Sequence, residues 1–592
     1  MKTKGYPIGS FALLLAAALM LGACGDRGTT TQTAGSAAPA EKVLRLTITR
    51  LPETLNPHRL MTEYELMSRI SANLYTQAID ERTQTRVYFP EIAANFPEML
   101  DTEYLIWKHT LRRGLTFEDG TPIDAYTYEY SYKMLHDPKL LNRNTGYELV
   151  NLEAYLEGEC AWEDVGFEVV DAYTIIVTYT EEYCPVNVNE AMGIFGWIGS
   201  SIVHPTMYAA LMNADGTETT YGTTLDRFSA SGTYRVSRWI EGQYIEYEKR
   251  PAGSSPLESM FTPDRVTYNY VTETNVAIQL YENGEIDSVN ASTARFNDYP
   301  GLFYTYNSSN YGVFLNPFST TNPILQNPNF RYAIYWGIDR KTIMDTIRFA
   351  DAICARMNPF ITTVWDRNDT TKLVSYFDQP GVSAIRIDGH PITETGYDPA
   401  LAVDYFNRAY QANGNRKITM EMQFFDGNEQ SVLWAEFVQD SLQRLFGIDR
   451  IEINLQAVPW NTVYENLRRD TMNYEMLAAG GIYMNFEAPW ENTNFAYTSP
   501  WTYTSQYCVQ TPQAAAAWDE LFIKCAIGEY KFNQAGRIEA SIQMEEIMMN
   551  DMCFVPVYSG GSRVLIREHL DPILDIGHPD LGAWLWQAKW LN

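Results

Sequence analysis

Residues 478–490 read AAGGIYMNFEAPW and set bare backbone at Gly480 and Gly481 beside the rings Tyr483, Phe486 and Trp490, the amide Asn485 and one acid, Glu487. A glycine carries no Cβ, so the main chain of a guest can approach its peptide groups closely. Rings add apolar area and stacking faces, and a carboxylate among them suits an ammonium group. Trp460 is a further ring close by in sequence, and Arg469 could meet a carboxylate. This set is suited to recognition. The bland alternative is a packing kink at the two glycines with the rings in a core.

Reactive centres leave other signatures. The chain has no GxSxG, HExxH, Walker or GxGxxG pattern. Its seven histidines are scattered and suit structural or surface roles. With 73 Asp and Glu, no carboxylate pair can be singled out as glycosidase machinery. No cofactor or metal is implied, and the net charge of −29 excludes nucleic acid, whose phosphates need a basic face. A surface hydrolase with an aromatic-lined cleft is the alternative from another class, and the missing motifs count against it.

The chain opens with Lys2 and Lys4, the apolar run FALLLAAALMLGA and then Cys24, the layout of a secretory signal. The run is too short for a comfortable membrane span. Leu21, Gly22, Ala23 and Cys24 resemble the bacterial lipobox, in which the signal (1–23) is cut away and the cysteine carries a lipid. Residues 24–42 are rich in Gly, Ser, Thr and Ala and read as a flexible tether. At roughly 5–6 Å times the square root of its length, it would hold the body about 25 Å from the membrane. An extracytoplasmic protein, lipid-anchored at the periplasmic face or cell surface, is the expectation. Six other cysteines include no CxxC pair. Cys160 with Cys184, and Cys508 with Cys525, are nearest in sequence and could be bridged in an oxidising compartment.

Roughly 550 residues remain, enough for two to four lobes. Leu44, Leu46 and Ile48 alternate as a strand. Further on, YLIWKHTLRRGLTFEDGTPID predicts two extended runs and a turn at Asp119–Gly120, and Tyr128, Tyr132 and Leu135 predict a helix. Asp398 and Pro399 make a helix start, with Leu401, Tyr405, Phe406 and Ala409 on its apolar face. The strand Ile418, Met420, Met422, Phe424 follows, then a helix with Leu433, Phe437, Leu442 and Leu445 inward, then the strand Ile451, Ile453, Leu455. A strand–helix–strand unit of this kind implies helices packed on a sheet.

LNPHRL, PEIAANF, the DGTP turn with its helix AYTYEYSYKML, LEGECAWEDVGFEVVDAYTIIVTY, ASGTYRVSRWIEGQYIEYEKR, YENGEIDSV and NPNFRYAIYWGIDRKTIMDTI follow one another along the chain. Their order resembles the family 5 extracellular solute-binding proteins of oligopeptide and dipeptide ABC importers. The resemblance implies an α/β, periplasmic-binding-protein-like fold of cluster C type: two lobes with a hinge plus an inserted subdomain. Lobe I would comprise residues 43–74, 200–300 and 556–592, the insertion 75–199, and lobe II 301–555. It further implies a monomer that encloses an oligopeptide without catalysis and passes it to the transmembrane subunits of an ABC permease.

AAGGIYMNFEAPW falls where relatives line the closed cleft. Relatives place an ammonium-binding aspartate at the position of Met484 and often a tryptophan at that of Gly481, so the usual anchor is absent or moved. An unpartnered, desolvated ammonium costs several kcal/mol, against about 8 kcal/mol for micromolar binding. Glu487 could replace the aspartate. Alternatively the guest is an oligosaccharide, stacked on Tyr483, Phe486, Trp490 and Trp460.

Overall fold

A computed structural model describes residues 41–591, apart from 50–51, 60–63, 82–84, 141, 143–147, 182–183, 186, 194, 197–200, 292–298, 349–350, 369–372, 426–428, 468–470, 484–488, 492–510 and 574–583. Cys24 and the tether up to residue 40 lie outside the described residues. Strand β1 (Val43–Ile48) opens the fold with Leu44 and Leu46 buried, as their alternation predicts. The chain then leaves to build a second sheet from β2 (Glu98–Met99), β3 (Ile106–Thr110), β4 (Phe167–Asp171) and β5 (Thr174–Thr178), in the order β2-β3-β5-β4. The DGTP turn sits here, with Gly120 at φ +88°, a left-handed conformation that glycine adopts without strain. Helix α1 (Ala125–Leu135) follows, capped by Asp124 and burying Tyr128, Tyr132 and Leu135.

The chain returns as β6 (Tyr234–Ile240), β7 (Tyr244–Lys249) and β8 (Arg265–Tyr270), completing the sheet β1-β8-β7-β6, in which β1 and β8 are parallel. Its core of Leu44, Tyr234, Ile245, Tyr247, Val266 and Trp586 is distinct from that of the inserted sheet, which holds Trp107, Tyr128, Phe167 and Val177. Hydrogen bonds nevertheless fasten the two together. Glu118 N–H donates to Ala230 O at 2.8 Å and Arg250 to Thr116 O at 2.8 Å, while Gln587 exchanges two bonds, at 3.0 and 3.1 Å, with the backbone of Ile79 in the separate hairpin of Tyr75–Asp80 and Thr85–Pro90.

The largest sheet contains β9 (Ser288–Asn290), β10 (Leu302–Leu315), β11 (Ala352–Ile353), β12 (Ile418–Phe425), β13 (Ile451–Val458), β14 (Met476–Tyr483) and β15 (Phe554–Ile566). Its order is β9-β15-β10-β14-β12-β13, with β11 on β15. Helices α2 (Pro328–Gly337), α3 (Pro399–Ala412) and α4 (Glu429–Phe446) supply Trp336, Phe406 and Trp434 to its core. The expected start of α3 is present: the Asp398 carboxylate accepts from the N–H groups of Ala400 and Leu401 at 3.1 and 2.9 Å. The β12-α4-β13 unit is present too, with its strands parallel. Its helix turns Leu442 into the core and packs Phe437 and Leu445 against it, as expected, but differs at one position. Trp434, Val438 and Leu442 face inward, whereas Leu433 is 40% exposed, because the large indole takes the core position next to it. Cys160 and Cys184 are free thiols, so that pairing is corrected; Cys508 lies outside the described residues.

β10 and β15 are the longest strands, and each joins two cores. Phe303, Val564 and Ile566 pack with the first sheet, while Val313, Phe314, Phe554 and Val555 pack with the third. Between these ends the register slips: Tyr306 faces Gly561, yet Asn310 faces Ser559. Four steps along one strand match two along the other, a bulge that bends and twists a ladder. A second slip lies at Gly312, where a Cβ would stand 2.1 Å from Val555 O.

Burial controls several protonation states. His58, His109 and His136 are buried, which lowers their pKa from 6.5 to about 3, 3 and 4. Each unfolded histidine therefore takes up a proton that its folded counterpart refuses. Stability is lost as pH falls below about 6.5, by about 1.4 kcal/mol per pH unit for each group. Buried Glu91 acts oppositely: burial raises its pKa to about 7, so the folded state holds an extra proton between 4.5 and 7 and gains stability on acidification. Urea midpoints should fall between pH 6.5 and 4.5, and Glu91→Gln, which removes the opposing gain, should steepen that fall by about one proton's slope.

Candidate functional site

The site is built on the carboxyl end of β14. Met476, Leu477 and Ala478 are buried and pair on both edges: with β10 at Val313–Leu315, and with parallel β12 at Met422, Gln423 and Phe424. From Ala478 onward the two edges part company. Pairing with β10 continues through Tyr311↔Gly481, Asn310↔Ile482 and Ser309↔Tyr483, while pairing with β12 stops at Ala478. Among the described residues no strand pairs with the other edge of residues 479–483. An open edge of this kind presents a row of peptide N–H and C=O groups that an extended chain can complete. It also lies at the carboxyl end of parallel β12 and β14, where open α/β sheets form their ligand crevices.

Gly480 and Gly481 therefore lie on the strand segment with the open edge, and Tyr483 is its last residue. Trp490 is placed differently from its expected position around a guest. It is 7% exposed and packs in the third core, 6.0 Å from Phe522 and under the Arg537 guanidinium at 4.7 Å. Trp460 begins α5 (Trp460–Leu467), but its side chain lies outside the described residues. Arg469, Met484, Asn485, Phe486 and Glu487 also lie outside them. Among the described residues no group of three His, Cys, Asp or Glu is arranged to hold a metal.

One cluster beside the site escaped sequence reasoning. Tyr311, opposite Gly481, stacks on Tyr558 of β15 with ring centroids 4.9 Å apart and planes 5° apart. Trp434 meets Tyr558 edge-on at 5.7 Å, and the Arg348 guanidinium lies 4.4 Å over it. Arg348 pairs with Asp351, whose carboxylate accepts the Gly561 N–H at 2.8 Å. Burial pushes Asp351 up in pKa against the pull of Arg348. The carboxylate thus holds the backbone at the point where the β10–β15 register slips. Only the doublet Gly560–Gly561 hinted at this in the sequence, since its partners come from distant segments.

Residues 88–503 match the model of the bacterial extracellular solute-binding proteins, family 5, and the chain belongs to that family. A dipeptide-binding protein of Bacillus subtilis, DppE, is 21% identical over 496 residues, covering 80% of this chain and 79% of its own. The structure of Listeria monocytogenes OppA bound to peptide aligns with a TM-score of 0.63 at 17% identity, covering 93% of this chain and 99% of its own. An unliganded open form of the murein tripeptide binding protein MppA aligns at 0.68 with 16% identity, covering 93% and 97%. The fold is therefore the two-lobed, hinged α/β architecture with an inserted subdomain. The first and third sheets keep separate cores, and β10 and β15 contribute residues to both.

Removing the Asp351 side chain leaves Arg348 without its carboxylate and Gly561 N–H without an acceptor. Asp351→Ala should cost about 2–4 kcal/mol of stability, measured by denaturant unfolding.

Proposed function

We propose that this protein captures an oligopeptide between its two lobes and delivers it to the transmembrane subunits of an ABC permease, without catalysis. It does so as a monomer outside the cytoplasmic membrane, tethered by a lipid on Cys24. The observation that carries this reading is the open edge of residues 479–483. A peptide laid along it as an added strand is recognised through its main chain, whatever its side chains. The peptide in the Listeria monocytogenes relative and the dipeptide-binding designation of the Bacillus subtilis relative support the same class of guest. In this reading Gly480 and Gly481 admit the peptide backbone, Tyr483, Asn485 and Phe486 flank it, and Glu487 meets its ammonium group. Trp490 supports the segment from the core. Arg469 and Trp460 are further candidates, for a carboxylate and for stacking. A guest that touches both lobes favours the closed arrangement by its differential affinity, so capture and closure are one equilibrium.

Native mass spectrometry of the mature protein with an equimolar pool of peptides of two to five residues, alongside a pool of oligosaccharides, should show retained peptide only. Retention of oligosaccharide alone, or release of cleaved products, would overturn the proposal. N-methylation of backbone amides in a retained peptide should weaken it at least about tenfold, the equivalent of one or two lost hydrogen bonds. Glu487→Gln should weaken free-amine peptides about tenfold while leaving N-acetylated ones unchanged.

A further inference from the structure

Among the described residues the inserted subdomain reaches lobe II through three side-chain contacts, each away from the hinge strands. Tyr104 stacks on Phe532 with ring centroids 4.6 Å apart and planes 19° apart. Lys531 Nζ donates to the Glu181 carbonyl. Arg537 Nη1 lies 3.3 Å from Glu190 Oε1, which also accepts from Asn187 at 3.1 Å. The segments from lobe II are the turn after α6 (Pro512–Ala526) and the start of α7 (Gln534–Asp551).

This seam is built to part. Among the described residues no buried core cluster spans it: Tyr104 packs with the core of the insertion and Tyr530 with that of lobe II. A cavity of about 710 Å³ opens along it between Glu103, Glu181, Cys184 and Lys531. Phe532 and Ile527 stay 52% and 57% exposed beside it. A few contacts around an open cavity are the mark of surfaces that separate, whereas permanent interfaces are larger and apolar. Tyr104 also holds φ at +64°, a left-handed conformation that costs a residue with a side chain and collects at functional segments.

The insertion is fastened to lobe I by the bonds from Glu118, Arg250 and Gln587, so it follows lobe I in any hinge motion. A contact between the insertion and lobe II is therefore a second contact between the moving arms. One of its members also leads to the site. Arg537 lies with its guanidinium 4.7 Å over Trp490, which closes the segment containing Glu487.

We infer that the Tyr104–Phe532, Glu181–Lys531 and Glu190–Arg537 contacts form a clasp that holds the two arms together over the guest, with Arg537 as the positioning residue that joins the clasp to the ligand segment through Trp490. The inference rests on the proposed capture of peptide for its consequence, but the clasp itself can be tested without a guest. Two variants alter it at partly exposed side chains: Glu190→Arg, which sets like charges face to face, and Tyr104→Ala with Phe532→Ala. Each should fold; the double alanine variant should keep a melting temperature within about 2 °C of the parent, while Glu190→Arg, which leaves the buried Arg537 without its carboxylate, should lower it by several degrees.

In small-angle scattering of the ligand-free protein, each variant should increase a radius of gyration of about 24 Å by about 1 Å or more, because only the hinge strands still join the arms. With the two-to-five-residue peptide pool as probe, dissociation should quicken about three- to tenfold while association stays within about twofold, since the clasp acts after encounter. An unchanged radius together with unchanged dissociation would overturn the clasp. Slower dissociation would also overturn it, by showing that the seam braces the arms apart. If the parent protein binds no peptide, the proposed function fails, and the scattering still decides whether the clasp exists.

Discussion

The antiparallel pairing of β10 with β15 is the constraint on which the rest depends. A strand pair is stiff against shear, because sliding one strand past the other would break every ladder bond and turn the side chains to the wrong faces. It bends far more readily where the ladder is already interrupted. The interruption falls between Tyr306–Asn310 and Ser559–Gly561, with the core of the first sheet at one end of the pair and that of the third at the other. Bending at this stretch would leave the core at either end intact. Asp351 adds a fixed point by accepting the Gly561 N–H.

The same strands prepare the site. β10 gives β14 one complete edge as far as Tyr483, which keeps the segment extended, while β12 leaves the opposite edge unpaired after Phe424↔Ala478. A segment held straight on one side and open on the other is preorganised, and a guest that pairs with it need not fund the ordering of both partners. Each added main-chain bond contributes about 0.5–1.5 kcal/mol net. Several such bonds would reach useful affinity while staying indifferent to side chains, the property that the proposed peptide guests would require.

Much of this was legible in the sequence wherever one local rule decided the outcome. Asp398 with Pro399 fixed the start of α3, and the alternations in β12 and β13 gave their buried faces, because capping and period two act over a few residues. The face of α4 was misread at Leu433, because Trp434 competes for the same side of the helix and its larger area prevails. Trp490 illustrates the same limit at the site. An aromatic beside a glycine-rich strand satisfies both a ligand-facing and a core reading, and only the tertiary partners Phe522 and Arg537 decide between them. The stack of Tyr311 on Tyr558 was illegible for a different reason, since it depends on a register between strands far apart in the chain.

The separation of the three cores explains how rigid parts yield a soft whole. Large rings such as Trp107, Trp336, Trp434, Trp518 and Trp586 are almost fully buried, and each belongs to one core only. Burying such a side chain stabilises its own body by several kcal/mol, yet adds nothing to the angle between bodies. In the proposed reading that angle is left to a bent ladder, a few contacts and a guest. Free energies of a few kcal/mol can then move the arms without approaching the unfolding threshold of either lobe.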